Sequence, residues 1–183
     1  MRDEAAVHEH FAAKPDGSID ALIISASQAV HGPFANADTD DINTMFASKF
    51  MGPFVVAREA LPKMAEGSSI TFFSGVLSRR PGTNGAGLAA VNGAVEALSR
   101  ALALELGPKI RVNTLSPGMT DTEAYAGMAE GDRAAMFERV AAKLPVKRVA
   151  SADEIAQAAL FLSTNAFTTG HVLDVDGGHI IGQ

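Results

Sequence analysis

The 183-residue chain has no cysteine, no tryptophan and one tyrosine, Tyr125. Without thiols there are no disulfides, no thiolate nucleophile and no Cys-ligated zinc or iron–sulfur site, and a fold without such staples points to the cytoplasm rather than to export. Basic residues are in the minority, 15 Lys and Arg against 21 Asp and Glu. The net charge of −6 opposes a nucleic-acid groove or an anionic membrane surface, so neither partner is expected. Long apolar runs are missing too. The uncharged stretch 22–36 is broken by Gln28, His31, Gly32 and Pro33, and falls short of the roughly 20 apolar residues that span a bilayer. The opening MRDEAAVHEHF has no apolar segment behind its basic residue, which excludes a secretory signal there.

What is present is ordinary globular material, 47% hydrophobic and 20% charged. One domain over 1–183 is expected, large enough to bury roughly 70% of its unfolded surface. After the acids Asp3 and Glu4, the spacing of Ala6, Val7 and Phe11 predicts a helix that ends at Pro15-Asp16-Gly17. Ala21-Leu22-Ile23-Ile24 is a continuous apolar run, the mark of a strand covered on both faces, as in a parallel sheet. A long helical pattern from Asp40 to Ala65 follows, with a kink expected at Gly52-Pro53. Ser69 to Phe73 and Ile110 to Leu115 read as further strands, separated by a turn-rich loop (76–87) and a strong helix from Leu88 to Leu106. The glycine-containing segment 120–144 is helical in composition and suited to a lid. Ser151 with Glu154 forms a capping box for a helix over 152–162, and Val172 to Val175 is the last strand. Strands alternating with helices predict an α/β, three-layer α/β/α sandwich around a mostly parallel sheet.

Three strings carry a family resemblance: NGAVEALSRALALEL (92–106), IRVNTLSPGMTDTEAY (110–125) and TTGHVLDVDGG (168–178). In this order and at these separations they resemble the C-terminal two thirds of short-chain dehydrogenases/reductases. The resemblance implies a Rossmann-like scaffold, a nicotinamide cofactor, and a small carbonyl or alcohol substrate. It also marks departures. No G-x-G-x-x-G turn occurs, and the string Gly82 to Gly87 follows a loop rather than the strand a phosphate cradle needs. In the family's register the N-terminal βαβαβ unit is absent from this polypeptide. Accordingly no cofactor is expected to bind this chain alone, and NADP(H) is expected only if that missing N-terminal part exists.

The family's proton-transfer positions are altered as well. Leu88 falls where the resemblance implies the Tyr, Asn92 where it implies the Lys, Gly75 at the Ser with Ser74 adjacent, and Lys49 at the Asn of the preceding helix. A leucine has no proton to give, so the usual mechanism is not available. Lys49-Phe50 and the string Ser74 to Arg79 resemble unusually short members of the family. The candidate catalytic residues are therefore Lys49, Ser74, His31 and Tyr125. Lys49 would act as acid, base or carbonyl-polarising group, against the plain reading of a solvated helix lysine. His31, whose imidazole can both donate and accept a proton, is expected at the edge of the same crevice as a candidate acid or base. Arg79 and Arg80 could together hold a carboxylate or phosphate. Residual contacts to a cofactor would come from Ser25, Ala26, Pro117, Gly118 and Thr122. His8 and His10 do not share a helix face, and no metal site is expected.

Two rival readings stand beside the oxidoreductase: a non-redox cyclase, dehydratase or isomerase on the same scaffold, and a pseudoenzyme that binds a ligand. The partners expected are a small molecule and further copies of the chain. If the register holds, Ala21 to Ile24 is an open sheet edge with no charge or proline to block it, to be covered by the N-terminal helix or a second subunit.

Overall fold

In the computed structural model, which describes residues 3–25 and 28–182, the first elements are α1 (Glu4–Ala12), β1 (Ile19–Ile24), α2 (Thr39–Phe46) and α3 (Gly52–Ala60). They are followed by β2 (Met64–Phe73), α4 (Ala86–Leu106), β3 (Arg111–Pro117) and the short β4 (Thr120–Asp121). Then come α5 (Glu130–Ala141), β5 (Ala150–Ser151), α6 (Ala152–Thr164) and β6 (Val172–Val175). β1, β2, β3 and β6 lie side by side in that order, all parallel, with Leu22 opposite Ile70 and Ile70 opposite Val112. The expected α/β layered parallel sheet is present.

The two-residue alternation of β2 sorts its side chains between two cores. Ile70 and Phe72, fully buried, face the layer of α1, α3 and α4, where Phe11, Ala57, Ala60 and Val95 meet them. Phe73 and, from β3, Leu115 face α6 and pack against Ile155, Ala159 and Leu162. A fully buried side chain of this size contributes roughly 1.5–3 kcal/mol. The α6 side is the more polar one. Asn113, fully buried, donates from Nδ2 to the Thr168 carbonyl at 2.8 Å and accepts from the His171 amide at 3.1 Å, which ties the approach to β6 onto β3. Arg111 donates to the carbonyls of Leu162 (2.8 Å) and Ser163 (2.6 Å), satisfying the end of α6.

The expected single helix over 40–65 is corrected. Between α2 and α3 lies a π turn, Ala47–Met51, closed by the Gly52 amide on the Ala47 carbonyl. Pro53 stands in the first turn of α3, where its missing N–H has no partner to lose, so it opens a helix instead of kinking one. The strand after it begins at Met64, five residues early. Ile19 pairs with Met64 and Ala21 with Ser69, a shift accommodated by Gly67 at φ +81°. In the expected lid segment, β4 pairs with β5 and so ties the start of that segment to the N-terminus of α6. The capping box at Ser151 and Glu154 is formed.

β1 is an edge of the sheet, and Ile23 there is 46% exposed. α1 packs on α3, and a groove of about 460 Å³ remains between α1 and β1, lined by Val7, Phe11 and Leu22 among others. Among the described residues no helix is long and apolar enough to cross a membrane.

Candidate active site

Parallel strands end together, and the loops leaving their C-terminal ends define a crevice. Here a cavity of about 660 Å³ opens beyond β1, β2 and β3, reached by Ser25, Phe73, Ser74, Pro117 and Gly118. One wall is the segment Thr120 to Tyr125, and α6 supplies the small or apolar Ala152, Ile155, Ala156 and Ala159. Gly118 is required by its surroundings: a Cβ there would lie 2.8 Å from Cα of Asp176.

Lys49 lines this cavity from the π turn. It is 7% exposed, and Nζ donates to the Ser74 carbonyl at 3.1 Å. No carboxylate among the described residues forms an ion pair with it. Burial disfavours the ammonium and lowers the amine from 10.5 to about 8, so both protonation states are accessible near neutral pH.

Asn92 lies at the neighbouring peptide. Its Nδ2 donates to the Gly75 carbonyl at 3.2 Å, while its Oδ1 is buried without a hydrogen-bond partner among the described residues. Consecutive carbonyls of the Ser74-Gly75 turn thus hold a lysine from one helix and an asparagine from the other. A Cβ on Gly75 would stand 3.1 Å from that Nδ2. The Ser74 hydroxyl is turned away from proton-transfer work, because it donates to Glu96 Oε1 at 3.0 Å; the Ser78 hydroxyl donates to the same oxygen at 2.6 Å. Glu96 is 6% exposed and is the functional-site residue that the sequence reading missed. Its signal was available: Asn92, Glu96 and Ser99 recur at helical spacing on the same buried face of α4 as Val91 and Val95.

Tyr125 and Thr122 both reach the cavity, but Tyr125 is engaged. Its hydroxyl contacts Met119 Sδ at 3.1 Å, its ring meets Phe137 edge to face, and partial burial pushes the phenol up. Ala26 lies outside the described residues. His31 belongs elsewhere and corrects the expectation: it lines a separate cavity of about 330 Å³ with Asp38, Phe46, Asn84 and Gly87, on the outer side of α2 and the start of α4. The arginine pair is also corrected. Arg79 pairs with Asp174 on β6, and Arg80 donates to the carbonyls of His179 and Gly182, so both guanidinium groups tie the C-terminal segment to the loop after β2. Among the described residues no cluster of three potential metal ligands occurs.

A crevice at the C-terminal ends of parallel strands is where layered α/β folds bind ligands, and comparison with known proteins identifies the family. A family model described as enoyl-(acyl carrier protein) reductase matches residues 1–179. A trans-4-hydroxycyclohexanecarboxylate dehydrogenase of Sinomonas cyclohexanicum is 32% identical over 171 residues, which are 91% of this chain and 62% of that protein. A crystal structure of a small-chain dehydrogenase in complex with NADPH superposes with a TM-score of 0.94 at 42% identity, covering 99% of this chain and 82% of the other. A second small-chain dehydrogenase structure gives 0.88 at 38% identity, with 99% and 81% covered. The chain belongs to the short-chain dehydrogenase/reductase family. It spans 62% of the length of the first of these relatives.

Proposed function

We propose that this chain acts on a small carbonyl or alcohol compound, with the Lys49 amine as acid, base and carbonyl-polarising group in place of the family's usual tetrad. The observation that carries the reading is the Lys49 ammonium, buried without a counter-ion and hydrogen-bonded at the Ser74 turn, facing the cavity at the strand ends. Leu88, at the position where the family resemblance implies a tyrosine, cannot move a proton. Lys49 and Asn92 stand in exchanged places relative to the same resemblance, so an ammonium still reaches the turn, from the other helix. Ser74 positions the turn through Glu96, and Tyr125 shapes the wall of the cavity.

NADP(H) is the cofactor this reading takes, by analogy with the NADPH-bound structure at 42% identity. Ser25, Thr122 and the Pro117-Gly118 backbone present neutral polar groups suited to a nicotinamide, which when bound would supply or accept hydride. The fit is partial. The chain has no glycine-rich turn for the pyrophosphate, and Arg79 and Arg80 are committed to the C-terminal segment. Binding of NADPH to this chain alone is therefore expected to be weaker than micromolar.

The test is NADPH oxidation by the chain at millimolar nucleotide with a panel of short aldehydes and ketones. The expected result is turnover that declines as pH rises through about 8, where the ammonium loses its proton, and that drops by about 10² or more in Lys49→Met. Turnover unaffected by that substitution would remove Lys49 from the chemistry. Substrate consumption without nucleotide would favour the non-redox reading, which Leu88 and the missing phosphate cradle support. No consumption of any substrate would leave the ligand-binding pseudoenzyme.

A further inference from the structure

We propose that the Lys49 ε-amine is also a nucleophile toward carbonyl carbon, condensing with small apolar aldehydes or ketones in the strand-end cavity to form an imine. Three features support this. Lys49 is the one lysine among the lining residues of the 660 Å³ cavity, and it is 7% exposed. The walls that face it are largely hydrocarbon, with Phe73, Ile155, Ala156 and Ala159 among them, so a bound carbonyl compound displaces water that would otherwise hydrolyse the adduct. Finally, the amine is held by a backbone carbonyl, not by a carboxylate, so nothing in its first contacts locks it as an ammonium. With the amine lowered to about 8, its neutral fraction at pH 7.5 is roughly two hundredfold that of an ordinary lysine.

The chemistry balances within the two partners. The nitrogen lone pair adds to the carbonyl carbon while the C=O electron pair moves to oxygen, and one N–H proton passes to that oxygen to give a carbinolamine. Loss of the hydroxyl together with the second N–H proton releases one water and leaves the C=N bond. No nucleotide and no redox partner takes part.

The experiment uses the whole chain with butanal and sodium cyanoborohydride at pH 7.5 and no nucleotide, followed by peptide mass mapping at early times. Cyanoborohydride fixes an imine as a secondary amine, so an adduct appears as the mass of the aldehyde less one oxygen. Six lysines compete within one molecule. Initial labelling at Lys49 at least tenfold faster than at any of the other five supports the proposal. Labelling spread evenly over the lysines, or sparing Lys49, overturns it. Because the comparison is internal to the wild-type chain, it does not depend on a variant that folds; Lys49→Met adds a control in which the fast adduct disappears. The inference shares its cavity with the proposed function but not its readout. An adduct without NADPH oxidation would sink the redox reading alone, and oxidation without an adduct would sink this one alone.

Discussion

Replacing Lys49 by methionine keeps the length of an unbranched side chain and removes the charge, so it isolates what burying the amine costs. Burial lowers the amine to about 8 in the folded chain, against 10.5 for an ordinary lysine. Below pH 8 both folded and unfolded chains hold the proton, and the burial penalty is present in full. Between about 8 and 10.5 the folded chain has released its proton while the unfolded chain still binds it, so stability rises with pH across that window. The difference corresponds to about 3 kcal/mol. Lys49→Met has no such rise. At pH 7 the variant is expected to be the more stable by about 2 kcal/mol, since the lost hydrogen bond to the Ser74 carbonyl returns about 1 kcal/mol of the gain. By pH 10.5 that advantage should be gone or reversed. The assay is urea unfolding of both proteins at intervals from pH 7 to 10.5, followed by circular dichroism because the chain has no tryptophan. Every other side chain is the same in both proteins and cancels in the comparison. A stability difference that stays flat from pH 7.5 to 10.5 would refute the argument that the amine is desolvated.

Three further outcomes are expected. Glu96→Leu leaves the Ser74 and Ser78 hydroxyls without their shared acceptor and should cost about 1–3 kcal/mol in urea unfolding; an unchanged midpoint would mean water replaces the carboxylate. Gly118→Ala drives a Cβ into the Asp176 backbone, 2.8 Å from Cα and 3.0 Å from the carbonyl oxygen, and should destabilise by about 1–3 kcal/mol in thermal unfolding, whereas a Tm equal to that of the parent would show that the β3–β6 contact can yield. The uncovered edge of β1 is expected to pair two or more chains; light scattering should report a species larger than 19.0 kDa that shrinks in Ile23→Lys, and a wild-type monomer at micromolar concentration would exclude the pairing.

How much of this was readable beforehand depends on whether a feature has a periodic signature. The strands β1, β2 and β3 were legible as short, mostly apolar runs, but coverage on both faces, expected for Ala21 to Ile24, holds only for β2 and β3, since Ala21 and Ile23 of the edge strand are exposed. Lys49 was legible through the register of the FASKFMGPF string. The π turn that carries it was not, because a wider hydrogen-bonded turn uses the same residue types as an ordinary helix. Met64 and Ala65 read as the tail of a helix because only the pairing of Met64 with Ile19, a long-range contact, makes them strand. His31 and the two arginines have the chemistry of site residues, but a side chain's chemistry does not say which way its loop turns. Arg80 ends on carbonyls some hundred residues further along the chain. Glu96 was hidden by the opposite habit, that of reading a charged residue in a helix as solvated.

The five residues from Ala47 to Met51 act as a phase adjuster between two helices. Met45 of α2 and Ala60 of α3 are both fully buried, and one continuous α-helix advances about 100° per residue. Winding all five residues into that geometry would swing α2 by that angle relative to α3, and Met45 and Ala60 could not both keep their present faces. The wide turn absorbs the additional residue and so reconciles the two faces, and Lys49 rides on that turn. The amine of the strand-end cavity is therefore set by one residue more than the two packed faces need, so that a single codon lost there would retire the amine while both faces stayed as they are.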